Sequence, residues 1–299
     1  MSFLMELNEM RVTKNYIKNI QSSPIAEFGP SRLMVSSLNT FYRKQNASPF
    51  SVKVVTKGVE NYWLLGKNYS VREGEFLIVN EKDPVTVNVE SKEQTKGVCF
   101  YPPFDLIQGT LERMTLNTDQ ILERKTTPHH TIFTHKVNRL NSSLTGKFLA
   151  SILQNLNHET ALTDTESLNL YLRLAEVLVK DQLIINDQLR CLKSKRKTAQ
   201  EELYRRLSVV KDFIHDNYTE KLEIEQLANL SCLSKFHFLR SFKDLYGLSP
   251  YQYAIRLKLE KADTYHMQGY SYVQINELVG FSDPKNLKRA LQKRKRIKV

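Results

Sequence analysis

The stretch SKFHFLRSFKDLYGLSPYQY, residues 234–253, decides the fold of the last third of the chain. Ser234 is a residue type that caps helix N-termini, so a helix is predicted to begin after it. Gly247 and Pro250 interrupt the pattern, because glycine commonly ends a helix and proline disfavours a helical conformation in the residue before it. The stretch therefore predicts one short helix with a defined beginning and end.

This predicted helix has an apolar side and a cationic side, since successive helical residues turn by about 100°. The side that should face a core carries Phe238, Phe242 and Leu245. The opposite side carries Phe236, Arg240 and Lys243, with Leu239 between the two sides. A helix held by its apolar side would thus present an aromatic ring, a guanidinium and an ammonium to the outside.

A second short helix is predicted just upstream, in LEIEQLANLSCLS, residues 222–234. Ile224, Leu227 and Ala228 mark its buried side, and the small side chain of Ala228 lets another helix approach closely. A turn of three to four residues would join the two helices. Two helices joined by a tight turn, with a basic outer face, are the helix-turn-helix pattern of DNA-binding proteins.

The same pattern returns 48–49 residues later, in YVQINELVGFSDPKNLKRALQ, residues 272–292. One residue is added in the turn, and the segment Pro250–Met267 between the two units is predicted to be one long helix. The buried positions of the first unit, Ile224, Leu227, Leu233, Phe238 and Phe242, correspond to Tyr272, Ile275, Phe281, Leu287 and Leu291. The outer positions Phe236, Arg240 and Lys243 correspond to Lys285, Arg289 and Gln292.

Charge is distributed unevenly along the 299 residues, whose net charge is +12. Residues 195–299 hold 21 Lys and Arg against 12 Asp and Glu, whereas residues 1–194 hold 23 against 20. Such asymmetry indicates a polyanionic partner, either nucleic acid or an acidic membrane face. No apolar run approaches the length of about 18 residues that a membrane helix needs. The three cysteines lack metal-site spacing and the N-terminus lacks a signal-peptide order, so we expect a soluble cytoplasmic protein.

The first part of the chain predicts β structure followed by helices. β-Branched and aromatic runs between about Arg32 and Tyr101 are separated by turn residues, which favours a sandwich or barrel. Gly58, Gly66 and Gly74 are predicted in hairpin turns. The apolar faces of the following helices, marked by Leu149, Ile152, Leu153, Leu170, Leu174 and Leu178, should pack on this β domain or form a dimer interface.

These patterns predict an α+β multidomain chain. The expected parts are a β-rich, cupin-like sensing domain over residues 1–135, a helical dimerisation or linker segment over 136–197, and an all-α domain with two helix-turn-helix units over 198–299. The basic stretch KSKRKTAQEE, residues 193–202, is the predicted linker.

The C-terminal residues resemble the DNA-binding domain of AraC/XylS-type transcriptional regulators. The resemblance covers residues 198–299, whereas the N-terminal part is similar to the family's cupin-like sensing part by layout alone. It implies a sequence-specific DNA-binding regulator, not an enzyme, whose two recognition helices enter successive segments of the major groove. The matching residues are Ser234, Phe238, Arg240, Phe242, Lys243, Gly247, Pro250 and Tyr253, followed by Gly280, Phe281, Ser282 and Asp283.

The resemblance also implies which residues contact double-stranded DNA. An arginine such as Arg240 can bind guanine through two hydrogen bonds, and Phe236 can pack on a thymine methyl group. Lys235 and Lys243 are placed for phosphates, which position a protein without specifying sequence. The full predicted set is Lys235, Phe236, Leu239, Arg240, Lys243, Lys285, Asn286, Lys288, Arg289 and Gln292. Expected partners besides DNA are a small-molecule effector, a second copy of the chain and RNA polymerase, with no cofactor.

Two features depart from the family pattern. Asn276 stands where the family usually has a small apolar residue, so an amide must fit into a close helix contact. The chain ends in LQKRKRIKV, residues 291–299, where Leu291 replaces the usual aromatic residue and no second closing turn follows. This departure leaves three alternatives open: a loosely closed second unit, a tail that acts as a basic arm on DNA phosphates, or a truncated chain.

Other candidate sites are weaker. Tyr62, Trp63 and Phe76 are candidates for lining an effector pocket in the β domain. Three histidines, His129, His130 and His135, lie within seven residues, but no accompanying ligand spacing predicts a metal site.

Two other functions compete with the regulator. A cupin-like enzyme with a basic helical appendage would need convergent metal ligands in the barrel, which the sequence does not show. A binder of RNA or single strands would need aromatic residues on a strand surface, whereas the basic excess lies on predicted helices.

Overall fold

The computed structural model describes residues 13–18, 32–115, 133–155, 164–193, 196–281 and 283–297. His129, His130, Ser282 and the last two residues of the tail lie outside these ranges. The chain divides into two compact units between Ile185 and Asn186. The predicted three-part division at residues 135 and 197 stays a prediction. In the part of the chain that the structure describes, no helix is long and apolar enough to cross a membrane.

The N-terminal unit is built on one sheet of eight strands in the described residues. Its order is β1-β2-β7-β3-β6-β8, while β4 pairs with β7 and β5 pairs with β4. All pairs are antiparallel except β1 with β2. The strands are β1 (Thr13–Lys18), β2 (Arg32–Gln45), β3 (Ser51–Lys57), β4 (Val59–Leu64), β5 (Lys67–Arg72), β6 (Glu75–Val79), β7 (Val85–Tyr101) and β8 (Val137–Arg139).

The long strand β7 folds this sheet into a nearly closed barrel. Along one edge it pairs with β2, and along the other it pairs first with β4 and then with β3. A bulge between Leu38 and Thr40 bends β2 at the same level, as bulges commonly do in barrels. The three predicted turn glycines have positive φ angles, with Gly58 at 82°, Gly66 at 77° and Gly74 at 77°. Gly66 lies in the predicted hairpin, between the paired strands β4 and β5, whereas Gly58 and Gly74 lie in turns between consecutive strands that do not pair with each other, so the hairpin prediction is wrong for these two. The predicted strand region and barrel are thereby confirmed.

Two apolar cores occupy the two faces of the barrel sheet. On β6, Leu77 and Val79 point into the barrel interior, whereas the alternate residues Phe76 and Ile78 point to the outer face. Three helices cover that outer face: α1 (Phe104–Thr115), α2 (Leu144–Asn155) and α3 (Asp164–Arg190). Their buried residues include Ile107, Leu149, Leu170, Leu174 and Leu178. The prediction that the helices pack on their own β domain is confirmed.

The C-terminal unit is helical throughout its described residues. Its helices are α4 (Lys197–Asp216), α5 (Ile224–Leu230), α6 (Lys235–Tyr246), α7 (Pro250–Met267), α8 (Tyr272–Val279) and α9 (Pro284–Ile297). The two predicted helix-turn-helix units are α5–α6 and α8–α9, and α7 is the predicted connecting helix. The bounds of α7 coincide with those that the sequence predicts.

The two helix-turn-helix units have separate apolar cores, and α7 contributes residues to both. In the first, Phe242 packs its ring edge-on against Tyr246 and Tyr253 at centroid distances of 4.7 and 5.9 Å. In the second, Leu259 and Ala262 of α7 lie among residues of α8 and α9, including Leu287 and Leu291. Leu291 is buried, so it fills the position of the expected aromatic residue.

The basic tail continues a helix. α9 extends to Ile297, well beyond Leu291, the last residue of the second core. The cations of residues 293–296 therefore stand on the final turns of the second recognition helix.

The turns of the two helix-turn-helix units both contain a residue in the left-handed backbone conformation. Cys232 in the first has a φ angle of +52°, and Gly280, at the corresponding position in the second, has a φ angle of +66°. Left-handed backbone costs a residue with a Cβ roughly 1–2 kcal/mol, whereas glycine adopts it freely. The first turn therefore carries a strain that the second does not.

Replacing Cys232 with glycine should consequently stabilise the C-terminal unit. We expect a gain of about 0.5–1 kcal/mol in the free energy of unfolding, since the greater freedom of glycine in the unfolded chain offsets part of the relieved strain. Urea unfolding of the full chain measures this. Cys191→Gly is the control, because Cys191 is an exposed cysteine outside the left-handed region. A loss of stability in Cys232→Gly would contradict the strain argument.

Candidate nucleic-acid interface

Local capping fixes both ends of α6, the first recognition helix. The Ser234 hydroxyl accepts a hydrogen bond from the backbone N–H of His237 at 3.4 Å, which satisfies one of the free donors of the first turn. Gly247 closes the helix at φ +72°, and its N–H donates to the Lys243 carbonyl. Ser249 then opens α7 with a reciprocal cap to Gln252. These caps explain why the helix begins and ends where the sequence predicts.

Side-chain burial separates the two sides of α6 as expected. Phe238, Phe242 and Leu245 are buried. Phe236 is 85% exposed, which excludes it from the core. Arg240 and Lys243 are also exposed, and Leu239 is partly buried between the two sides.

The outward cations of α6 differ in their ion pairing. Lys235 donates to the carboxylate of Glu225 on α5, and this hydrogen bond lowers the pKa of Glu225. In the described part of the chain, Arg240 and Lys243 form no ion pair. The role of Glu225 could not be predicted from the sequence, because a pairing across the turn depends on the angle between the two helices.

Three other arginines of the C-terminal unit bind carboxylates of their own helices. Arg205 and Arg206 both bind Glu202, at 2.8 and 3.0 Å, and Arg256 binds Glu260 at 2.9 Å. Arg240 differs from these three arginines, since its positive charge remains available to an external anion.

The second recognition helix, α9, presents a similar outer face. Its described side chains at the predicted positions are all exposed: Lys285, Asn286, Lys288, Arg289 and Gln292. Lys288 lies 6.0 Å from the centre of the Tyr272 ring, at the limit of a cation–π contact. Neither Lys285 nor Arg289 has an ion-pair partner among the residues that the structure covers.

The unusual Asn276 is accommodated by the turn. Its side-chain amide donates to the Phe281 carbonyl at 3.0 Å, while its Oδ1 atom is buried without a hydrogen-bond partner among the described residues. Lys258 of α7 donates to the neighbouring Gly280 carbonyl and lies 5.7 Å from the Phe281 ring, and burial lowers its pKa. Lys258 was missed by the sequence analysis, because a lysine within a helix is usually solvated.

A cleft of about 480 Å³ lies beside the first recognition helix. Its walls come from α4 and α6, and Arg240 stands at its edge. Side chains that the sequence analysis did not select contribute to it, namely Arg206, His237 and Asp244. The cleft leaves Arg240 without close packing on one side.

The three residues predicted to line an effector pocket are not brought together. Tyr62 points into the barrel core, but Phe76 belongs to the core on the outer face, under the helices. Trp63 is 41% exposed. Neighbouring strand residues point to opposite faces, so Tyr62 and Trp63 cannot line one cavity. The grouping of these three residues as one pocket is therefore corrected.

The described histidine of the HHTIFTH stretch has a structural partner. His135 Nε2 lies 2.7 Å from Asp83 Oδ2 and 2.9 Å from Asn80 Nδ2. Within the described ranges, no group of three or more His, Cys, Asp or Glu side chains is arranged to hold a metal ion.

Two family descriptions match the chain over separate stretches. The AraC-like ligand binding domain matches residues 38–169, and the helix-turn-helix domain matches residues 227–298. The chain therefore combines an AraC-like ligand binding domain with a helix-turn-helix domain. The resemblance drawn from α6 and the second turn is confirmed, as is the combination of a cupin-like barrel with a double helix-turn-helix unit.

Similarity to the two curated relatives is limited to short stretches. The chain is 28% identical over 81 residues to the uncharacterized HTH-type transcriptional regulator YbfI of Bacillus subtilis, covering 27% of this chain and 30% of that one. It is 32% identical over 72 residues to the MmsAB operon regulatory protein of Pseudomonas aeruginosa, covering 24% of each chain. These matches span less than a third of each relative's length.

One solved structure aligns over most of its length. ToxT from Vibrio cholerae O395 is 8% identical to this chain, with a TM-score of 0.34, and the alignment covers 88% of this chain and 93% of that one.

Proposed function

We propose that this chain is a sequence-specific DNA-binding regulator of transcription, acting in the cytoplasm and without catalysis. The observation that carries the proposal is the charge on the two recognition helices. Arg240 and Arg289 are exposed and lack ion-pair partners among the described residues, whereas other arginines of the same unit bind carboxylates. Leaving such cations unpaired favours an external polyanion, and duplex DNA is the polyanion that a helix of this size fits.

The proposed reading mechanism assigns separate tasks to the exposed side chains. The guanidinium of Arg240 donates two hydrogen bonds to a guanine edge in the major groove, and Arg289 does so in the next groove segment. Phe236 packs on a thymine methyl group or a sugar, and Leu239 lies beside it. The lysines at positions 235, 243, 285 and 288 bind phosphates, while Asn286 and Gln292 bind base edges or the backbone.

Lys235 contributes to DNA binding only after leaving Glu225. An exposed ion pair of this kind is worth about 0–1 kcal/mol, so a phosphate can replace the carboxylate at small cost. When a phosphate replaces Glu225 as the partner of Lys235, the Glu225 carboxylate lies near the DNA backbone. Its repulsion of the phosphates disfavours a poorly aligned complex.

The N-terminal unit is proposed to sense a small-molecule effector, which the match to a ligand-binding domain supports. We further propose that the chain acts as a homodimer and contacts RNA polymerase when it changes transcription. The two helix-turn-helix units of the partner copy would contact further base pairs, so a dimer would recognise a longer DNA site than one chain does. The competing function, a cupin-like enzyme, has no observation in its favour within the described residues.

Selection of bound duplexes from a random pool with the purified full chain tests the proposal. We expect an enriched sequence with two conserved blocks whose centres lie about one helical turn, roughly 10 base pairs, apart. A pool that stays random after repeated selection, or equal capture of single strands, would contradict sequence-specific duplex binding.

The basic end of α9 predicts a measurable salt dependence. Replacing Lys293, Arg294, Lys295 and Arg296 together with glutamine keeps the helix length and removes four charges. Each lost phosphate contact reduces the slope of log affinity against log salt by about 0.9, so a reduction of up to about 4 is expected. Deletion of residues 293–299 also removes Lys298 and should reduce the slope by at least as much. A slope identical to that of the unmodified chain would exclude the tail from DNA binding.

A further inference from the structure

Several polar side chains share the interior face of the barrel. Lys53 precedes Val55 by two positions on β3, and Val55 belongs to the interior core. Directly opposite residues of paired strands share a face, so Cys99 on β7, which pairs with Lys53, also points inward, as does Tyr101 two residues later. Glu60 and Tyr62 of β4 point inward beside them, since Tyr62 lies in the same core. The interior is therefore not wholly apolar.

The ammonium of Lys53 lacks a carboxylate partner. Its Nζ donates to the Tyr101 hydroxyl at 2.7 Å and lies 4.5 Å from the centre of that ring. In the described ranges, no acidic oxygen pairs with it. Burial alone would lower the pKa of Lys53, but the attraction of Cys99, Tyr101 and Glu60 outweighs that effect and raises it. An interior cation that stays protonated without a carboxylate is costly unless an anion can reach it.

The interior carboxyl group of Glu60 attracts Lys53 but forms no ion pair with it in the described residues. The Tyr62 hydroxyl donates to Glu60, and Glu60 is buried. Burial raises the pKa of Glu60 in spite of this hydrogen bond and of Lys53. Gly97 makes room for the carboxyl, because a Cβ there would lie 2.6 Å from Glu60 Oε1. The acid is thus fitted to Tyr62 and Gly97 rather than to Lys53.

A second cation stands on the same face. Arg43 lies opposite Val87 on β7, and Val87 packs against the interior core. Lys53 and Cys99 point inward and are partly accessible as residues. Two cationic side chains therefore lie on the interior face of the barrel.

We propose that the barrel interior binds a small organic anion, whose carboxylate pairs with the Lys53 ammonium and accepts a hydrogen bond from the Tyr101 hydroxyl. The inference rests on the proposed sensing function of this unit and specifies the chemical class of its effector. Tyr62 and Tyr69 provide aromatic walls of the same interior for the remainder of the ligand. A neutral sugar or a cation would leave the ammonium unpaired and should bind more weakly.

Thermal unfolding of the purified full chain, without DNA, tests the charge requirement. The probes are lactate, butyrate and phenylacetate, each compared with its primary amide at millimolar concentration. At least one carboxylate should raise the melting temperature while its amide does not. If no carboxylate is preferred over its amide, or if an amide stabilises equally, the proposal is overturned. Because DNA is absent, this failure would leave the duplex selection result unaffected.

Substitutions of Lys53 and Tyr101 test whether the carboxylate binds at these two residues. Lys53→Met should weaken binding of the preferred carboxylate at least about tenfold, as expected for loss of a charged hydrogen bond. The matched control is Lys44→Met, because Lys44 is exposed on β2, which β7 separates from β3, and pairs with the outward-facing Thr86 position. Should Lys53→Met fail to fold, Tyr101→Phe replaces it, with weaker carboxylate binding expected. Unchanged affinity in a folded variant of either residue would place the anion elsewhere and overturn the assignment.

Discussion

Replacing Gly280 with alanine should disrupt the second helix-turn-helix unit. A Cβ at this position would lie 2.3 Å from the Thr219 carbonyl oxygen, and the backbone is held at φ +66°. The strain of left-handed alanine and the displacement of a backbone carbonyl together should cost about 2–5 kcal/mol. Hydrogen exchange across residues 272–292 of the full chain should become at least about 30-fold faster, because local opening would need that much less free energy.

Gly247→Ala provides the matched control for this substitution. Gly247 has φ +72° at the end of α6, but a Cβ there would meet nothing within 4 Å. It should therefore show only the backbone strain, about 1–2 kcal/mol, around α6. Equal acceleration of exchange in the two variants would show that the contact between Gly280 and Thr219 is not what constrains the second turn.

Replacing Arg240 with alanine should weaken binding to the selected duplex about 5- to 150-fold. The estimate corresponds to one guanine contact through two hydrogen bonds, worth about 1–3 kcal/mol. Arg240 is exposed and caps no buried group, so the variant should unfold at nearly the same temperature as the unmodified chain. Fluorescence anisotropy with the selected duplex and with a scrambled duplex, at one salt concentration, measures both affinities.

The control for lost charge is Arg190→Ala. Arg190 is exposed at the end of α3, where it pairs with Asp187 at 3.1 Å, and it lies outside both recognition helices. Its removal should leave specific affinity within about twofold of the original, since a single distant surface charge contributes little at moderate salt. A loss in Arg240→Ala that is equal for selected and scrambled duplexes would indicate phosphate binding rather than base reading.

Much of the helical unit follows from local signals in the sequence. Ser234, Gly247 and Ser249 fix helix ends through hydrogen bonds within a few residues, so their positions could be predicted without tertiary structure. The burial of Phe238 and Phe242 follows from helical periodicity in the same way. The turns at Gly58, Gly66 and Gly74 are a further case, because positive φ angles at tight turns depend on neighbouring residues alone, whereas the pairing of the flanking strands does not.

Interactions between distant residues escaped prediction. Lys53 and Tyr101 are 48 residues apart, and only the register of β3 on β7 brings them together. The grouping of Tyr62 with Trp63 and Phe76 was wrong in the same respect, since alternate strand faces place Tyr62 in the barrel interior and Phe76 on the outer face. Helix α1 was not predicted, although Phe104–Thr115 is helical in the structure.

The cations of the recognition helices include one property that the sequence predicts and one that it does not. The exposure of Arg240 and Arg289 could be predicted from periodicity, because it depends only on which side of a helix faces the core. The pairing of Lys235 with Glu225 could not, because it depends on the geometry of the turn between α5 and α6. The functional assignment therefore rests on the exposed arginines, which the sequence predicts. Which cations are paired with carboxylates could be determined only from the structure.

Base-preference profiles of Arg240→Ala and Arg289→Ala, obtained by repeating the duplex selection with each variant, test the central claim most directly. If α6 and α9 read adjacent major-groove segments, each variant should lose preference at one block, and the two affected positions should lie roughly 10 base pairs apart. Loss of preference at the same position in both variants, or a uniform weakening with the profile unchanged, would contradict tandem reading by the two helices.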